Sequence, residues 1–342
     1  MQRTPVPSTR IWHLVHDISA QVRSSVSGTT FYPSTQVIER HAPSAQYPTT
    51  FEFSKHTTPA VARRLYLTGT AIDRSTTSSS HPTTIGVLAC TSGRRPGSGA
   101  LGGSSSYDSV LLRTTSLIAS HSSSTARPFY TAIKADIKQQ TSLPATQFPI
   151  APILYSPGVV GLRRADDDNF NPSDDDFDGE RDAVPADPTT RDLENPPAVN
   201  GQNQRAMGEY ASPYVMNVVS LSPVPSNILR ASPGVVDDGT ALAHRIRTIT
   251  KPRIARALSV FAARGDRTLV LGTFGCDEGV PADILGQIYA ELLACAPEGD
   301  ETTSYCGMFE KIVFAVPGKF YSPFKKAFEM RVYEDELVKA LS

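Results

Sequence analysis

At 342 residues the chain is long enough to bury one large core or two modest ones. Its 33 basic and 34 acidic side chains nearly cancel, which removes any global electrostatic case for direct binding to nucleic acid or to an anionic membrane. The four cysteines, Cys90, Cys276, Cys295 and Cys306, form no C-x-x-C pair and have no His at metal-ligand spacing, so neither a metal centre nor a disulfide framework is expected.

Cys90 and Cys276 each close an apolar run, where a thiol acts as a small core residue; that usage fits a reducing compartment. The opening MQRTPVPSTRIWHLVHDISA lacks the continuous apolar stretch of a secretory signal. No window approaches the roughly 18 uninterrupted apolar residues of a membrane span. A soluble intracellular protein, cytoplasmic or nuclear, is the expectation.

In chain order, residues 1–9 read as a frayed tail. IWHLVHDISAQVRSS then places Ile11, Leu14, Val15, Ile18 and Val22 on one helical face. Phe51 to Phe53 is a short strand candidate, Thr58 to Gly69 a helix, and the Ser/Thr-rich residues 70–84 a loop. TIGVLAC (Thr84 to Cys90) reads as a buried strand. A Gly/Ser loop follows, and then one helix, YDSVLLRTTSLIAS, with Val110, Leu111 and Leu117 facing inward. ILYSPGVVGLR (Ile153 to Arg163) looks like a strand and a turn.

Composition then shifts. Residues 165–206 carry dense Asp with many Pro and Asn and almost nothing apolar, which predicts a disordered acidic insertion, with no calcium-loop spacing. Order returns with a strand at Tyr214 to Pro223. Pro252 to Gly265 reads as a helix that starts at its proline and ends at its glycine. Arg267 to Cys276 is a strand running into a glycine turn, ADILGQIYAELL a helix with Ile284, Ile288 and Leu292 on one face, and KIVFAVPG a last strand. SPFKKAFEMRVYEDELVKAL supplies one or two closing helices. Apolar strands alternating with amphipathic helices predict an α/β domain with a covered sheet.

The Gly/Ser loop contains a literal G-x-G-x-x-G at Gly97, Gly99 and Gly102. A dinucleotide fingerprint needs its glycines immediately after the strand and an acid about 20 positions on. Here Thr91 to Pro96 intervene, and Ile118 to Ala126 holds no acid. The phosphate loop of nucleotide triphosphatases is also approached, but Gly103 stands where its lysine would be. The loops after Cys90 and after Leu271 both lie at carboxyl ends of buried strands, where α/β sheets bind ligands, and backbone amides there can cradle a pyrophosphate. A plain surface loop is the bland alternative.

VLACTS followed by RPGSGALGGSSSYDSVLLRTTSL is collinear with the central motif of the microbial-type poly(ADP-ribose) glycohydrolases, VLNFAS then NPGGGFLxGAxAQEExLxRxSxL. FEFSKHTTPAVARRL, VVSLSPVP, RIARALSVFAARGDRTLVLGTFGCD and FEKIVFAV resemble further segments of that family, with Arg253 to Cys276 the most specific. The resemblance covers about residues 10–330 apart from the acidic insertion. It implies a macrodomain-like three-layer fold with a mixed central sheet flanked by helices, in the α/β class. The implied organisation is an N-terminal tail and helical extension over 1–50, a core over 51–330 interrupted at 165–206, and a C-terminal helix over 331–342.

By the same resemblance the ligand-binding candidates are Gly97, Ser98, Gly99, Gly102, Gly103 and Tyr107 in the first loop. Gly272, Gly275, Cys276 and Gly279 supply the second loop, and Phe320 an aromatic for adenine. Phe320, Tyr321 and Phe324 serve equally well as core packing. The implied partner is ADP-ribose or an ADP-ribosylated macromolecule, with no cofactor and no metal.

This chain departs from the family pattern at the chemistry. Ala89 stands where the family has the ribose-holding Asn, Ser98 interrupts the triple glycine, and Tyr107-Asp108-Ser109 replace Gln-Glu-Glu. Cleaving a ribose–ribose bond requires a carboxyl that donates a proton and a water that is activated. Asp108 is the only carboxyl left in the loop, one methylene shorter than Glu; it is a candidate acid, but an N-cap of the following helix is the favoured reading. Asp277 and Glu278 in the second loop would repel a pyrophosphate unless they face outward or recruit a cation, and Arg94 and Arg95 offer partial compensation. Three functions follow: an ADP-ribose binder with weak or no glycohydrolase activity, an active ADP-ribosyl hydrolase using Asp108, or a repurposed scaffold or small-molecule-binding protein.

Overall fold

The computed structural model describes residues 8–39, 47–75, 84–91, 95–97, 107–140, 151–165, 167–168, 210–223, 226–231, 239–295 and 304–341. The acidic stretch 169–206 and the first-loop positions 98–106 lie outside the described residues.

The central strands are short runs of Val, Ile and Leu that are buried on both faces, which is why they read as nearly continuous apolar segments rather than alternating ones. β3 (Ile85–Cys90), β6 (Thr268–Gly272) and most of β7 (Lys311–Ala315) have no exposed residue. With β1 (Thr30–Tyr32), β2 (Thr50–Ser54), β4 (Ile153–Arg163) and β5 (Tyr210–Leu221) they form a seven-stranded sheet in the order β1-β4-β5-β3-β6-β7-β2. β5, β3, β6, β7 and β2 run parallel, and β4 is antiparallel to both of its neighbours. The sheet is mixed, the fold is α/β, and helices lie on both of its faces.

On one face Leu88, Val219, Leu269, Leu271 and Phe314 meet α7 (Gly239–Arg264), α8 (Ala282–Leu293) and α9 (Tyr321–Leu341) through Phe261, Ile288, Tyr289 and Phe324. On the other face Val87, Ala89, Val218 and Val270 meet α2 (Thr58–Ser75) and α3 (Tyr107–Thr114) through Val61, Ala62 and Leu111. α5 (Arg127–Gln140) covers Leu154 on that second face with Phe129 and Ile133. α1 (Ser8–Gly28) binds the β4 bend, Gln21 Nε2 donating to the Gly158 carbonyl at 3.1 Å.

Several elements differ from the sequence reading. α2 continues through Ser75, so residues 70–75 are helix rather than loop. The single helix expected after the glycine loop is two: α3, and α4 (Leu117–His121). Thr115 and Ser116 interrupt it because they pair with β4, Thr115 bridging Gly161 and the Ser116 amide donating to the Val160 carbonyl at 2.8 Å. β4 is one strand, with a bulge at Pro157 and Gly158 in place of a turn. Its extra residue is accommodated by Gly158 at φ +59°, whose amide donates to Asn217 Oδ1.

α7 begins at Gly239 and carries Pro252 in its interior, whereas the proline was expected to start it. Buried Ile246 and Ile249 before the proline, and Ile254 and Leu258 after it, hold both halves to the core. That burial exceeds the roughly 3 kcal/mol an interior proline costs. β1, α5 and α6 (Ser226–Ala231) were not foreseen. α9 is one helix across residue 331, so the expected boundary falls inside it.

The acidic segment does not begin as solvated chain. Ala165 and Asp168 are buried. Asp167 accepts hydrogen bonds from the Thr57 amide (2.5 Å) and hydroxyl (2.6 Å) at the entry to α2, with His56 Nδ1 at 3.7 Å. A carboxylate at a helix N-terminus satisfies amides that have no intrahelical acceptor, and it favours the positive end of the helix dipole.

Candidate functional site

The parallel strands bring their carboxyl ends to one edge of the sheet. β5 ends into Ser222–Pro223, β3 into Thr91, and β6 into Thr273–Phe274; all five residues are buried. Thr91 extends the ladder by one step, its amide donating to the Leu221 carbonyl at 2.8 Å.

The second loop is a tight turn closed on itself. The amides of Phe274, Cys276, Glu278, Gly279 and Val280 bond to carbonyls within Gly272–Cys276. Gly275 and Gly279 sit at φ +76° and +93°, a region that L side chains rarely adopt. A Cβ on Gly275 would lie 2.8 Å from Val280 Cγ2 and 3.1 Å from Pro223 Cβ, so the turn is pressed against the end of β5. Gly272 is the buried last residue of β6.

Cys276 is buried within this turn, and burial, aided by nearby Asp277 and Asp283, pushes its thiol up to about 12. It is therefore a neutral packing residue at physiological pH, as the sequence suggested for it. Asp277 is exposed and Glu278 partly so. Among the described residues no three acidic, His or Cys side chains cluster as a metal site.

Of the first loop, Gly97 is described. It is buried at φ +69°, and a Cβ there would meet Ile118 Cδ1 at 2.8 Å, so Gly97 is seated against α4. Arg95 is exposed. Ser98, Gly99, Gly102, Gly103 and Arg94 lie outside the described residues. Tyr107 and Asp108 are the first two residues of α3, and Ser109 behind them is buried. Ala89 is 2% exposed and packs with Val61, Ala62 and Leu111, an apolar setting that asks for no amide.

Of the aromatics after β7, Phe320 is half-buried in the turn Gly318–Phe320 beside Lys319, whose Nζ lies 5.3 Å from its ring centre. Tyr321 is half-buried under Lys55. Phe324 is wholly buried among Phe53, Tyr289 and Phe314, so it is core.

Sequence reasoning missed two polar connections that hold the β5 end. His121, wholly buried, bridges Tyr130 and Ser220, its ring nitrogens 2.8 Å from the Tyr130 hydroxyl and 3.0 Å from Ser220 Oγ. Desolvation lowers its pKa to about 4. Arg253 places Nη1 2.6 Å from the Ser222 carbonyl and Nη2 3.1 Å from Asp136 Oδ2, with both side chains buried. The His-Ser-Tyr and Arg-Asp partners are remote in sequence, so only the fold brings them together.

Residues 13–164 match the family model described as the microbial-type PARG catalytic domain. No curated protein matches the chain. Among solved structures, the chain is similar to the poly(ADP-ribose) glycohydrolase of Deinococcus radiodurans crystallised with ADP-ribose, at 20% identity and a TM-score of 0.58, covering 97% of this chain and 99% of that one. It is also similar to the Thermomonospora curvata enzyme, at 21% identity and a TM-score of 0.57, covering 92% and 89% of the two chains. A structure of the latter bound to the inhibitor ADP-HPD aligns at 22% identity and a TM-score of 0.57. The fold is thus that of the PARG macrodomain core.

Proposed function

We propose that this chain, whose residues 13–164 match the model of the microbial-type PARG catalytic domain, binds ADP-ribose or an ADP-ribosylated macromolecule and cleaves poly(ADP-ribose) weakly or not at all. What supports the reading is the pairing of glycine turns at adjoining strand ends, Gly97 after β3 and Gly275 and Gly279 after β6, with altered chemistry. Two glycine-bearing loops lie at adjoining carboxyl strand ends, while the start of α3 reads Tyr107-Asp108-Ser109.

A glycosidic acid must hold its proton until the leaving oxygen needs it. Asp108 occupies the first turn of α3. The dipole and free amides at a helix N-terminus favour the ionised carboxylate, which opposes that role. A side chain one methylene shorter also falls short of the position a Glu would reach, and a displacement of about 1 Å can cost on the order of a hundredfold in rate. Asp277 and Glu278 offer little obstacle to a pyrophosphate if they stay on the solvent side, and the exposure of Asp277 supports that.

Calorimetry with ADP-ribose tests the binding half of the reading. The expected affinity is micromolar or weaker, since Ala89 cannot make the ribose contact of an amide side chain. No heat and no thermal shift with millimolar ADP-ribose would favour a repurposed scaffold instead. Turnover of purified poly(ADP-ribose) tests the other half: a rate equal to that of the bacterial enzymes would overturn weak catalysis. A further loss in Asp108→Ala would then name Asp108 as the acid.

A further inference from the structure

Arg253 is wholly buried, and its two hydrogen bonds go to groups outside both glycine loops. Its guanidinium holds the carbonyl of Ser222, the first residue after β5, and is itself held by Asp136. α7, which carries Arg253, packs on the face of the sheet that includes Ile153 and Tyr155, whereas α5, which carries Asp136, covers Leu154 on the other face. The ion pair therefore joins the two helical layers around the carboxyl edge of the sheet.

What it clasps there is the segment between the two loops. One residue before Ser222, the Leu221 carbonyl accepts from the Thr91 amide, where the first loop leaves β3. One residue after it, Pro223 is pressed against Gly275 of the second loop. Displacing Ser222 would move both contacts together.

We propose that Arg253, oriented by Asp136, is a positioning residue for the ligand mouth: it fixes Ser222–Pro223 and thereby the spacing of the two glycine loops. As a determinant of ADP-ribose affinity it rests on the functional reading above; as a determinant of loop position it does not. A guanidinium suits the task because its planar fork serves a carbonyl and a carboxylate at once.

The test uses the full chain and three variants, Asp136→Asn, Arg253→Met and Arg253→Lys. Phe261→Leu on the same helix serves as a control for general destabilisation, since Phe261 is buried away from these contacts in the α7 core. In ligand-free protein, the backbone amide resonances of Thr91 and Gly275 should move in Asp136→Asn and Arg253→Met and stay in place in Phe261→Leu. With ADP-ribose, affinity should fall by roughly tenfold or more in those two variants, because small displacements of positioning groups carry large penalties. Arg253→Lys should recover part of the affinity and leave Gly275 nearer its original resonance. If Arg253→Met does not fold, Asp136→Asn decides, since it keeps size and hydrogen-bonding capacity. Unmoved Thr91 and Gly275 resonances, or shifts matched by the control, overturn the positioning role. Absence of ADP-ribose binding by the unaltered protein overturns the functional reading alone, and the resonances still decide the positioning.

Discussion

Arg63 on α2 and Asp168 beyond β4 form an ion pair sealed from solvent, with Arg63 Nη1 3.1 Å from both carboxylate oxygens and both side chains at most 3% exposed. The pair fastens the start of the acidic segment to the helix that packs on β3. It sits beside Tyr214, whose buried phenol is held well above its ordinary range chiefly by desolvation and then by the Asp168 charge.

Removing one member of such a pair strands the other as a buried charge. Asp168→Ala should lower stability by about 3–5 kcal/mol. Lys325→Ala, which breaks a 3.9 Å contact to exposed Glu329, should change it by less than about 0.5 kcal/mol. Urea denaturation of the two variants checks the contrast; equal midpoints would show that Asp168 is not sealed.

His121 makes the fold acid-sensitive in a defined window. Its folded pKa of about 4 lies below the ordinary 6.5, so between those values the unfolded chain binds a proton that the native state refuses. Stability should therefore fall as pH drops from about 6.5 towards 4, by about 3 kcal/mol in all. His56 acts in the opposite sense. Its pKa is raised chiefly by the hydrogen bond to Asp167, so its contribution is full below 6.5 and fades as pH rises through the folded value. His56 is half-exposed and solvent-screened, so His121 should dominate. Urea midpoints measured from pH 8 to pH 4.5 should decline in the wild type and remain flatter in His121→Gln.

Gly275 and Gly265 share φ +76° but not their surroundings. A Cβ on Gly265, just past the end of α7, meets nothing within 4 Å. Gly265→Ala should cost only the conformational penalty, about 1–2 kcal/mol, and leave ADP-ribose binding intact. Gly275→Val adds a collision with Val280 and Pro223 and should abolish binding. Calorimetry alongside thermal melting separates the two outcomes.

Pro252 lacks the amide that would reach back one turn within α7. Pro252→Ala should stabilise the protein by about 2 kcal/mol, the roughly 3 kcal/mol helix cost less about 1 kcal/mol of lost chain restriction. A lowered melting temperature would indicate that the proline ring packs where alanine leaves a void.

The parts of this fold legible in the sequence are those that a local pattern encodes. Ile85–Cys90, Thr268–Gly272 and Lys311–Ala315 are apolar runs bounded by turn residues, and the glycine turn after Leu271 is present, with Gly275 and Gly279 at positive φ. α5 carries Phe129, Tyr130, Ile133 and Ile137 at helical spacing, a local signal that the sequence reading did not take up; its place is fixed by Phe129, Ile133 and the remote Arg253. β1 has three residues, too few for a period, and exists because β4 pairs with it. The proline of α7 misled because helix-start preference is local, whereas Ile246 and Ile249 are buried by the tertiary structure. At the site, composition pointed to the loops but not to what braces them, since Asp136, Arg253 and Ser222 come from three separate elements.

β2 lies at one margin of the sheet, paired along its whole length with β7. Beside it, Thr49 donates to the Phe309 carbonyl, a contact between residues 260 apart in sequence. A ribosome emits the early strand long before its partner exists, so Phe51 and Phe53 must wait with their rings uncovered until β7 and α9 arrive. Pairing across such a separation makes for slow closure of the sheet, and during synthesis that phenylalanine-bearing segment is the stretch most in need of a chaperone's cover.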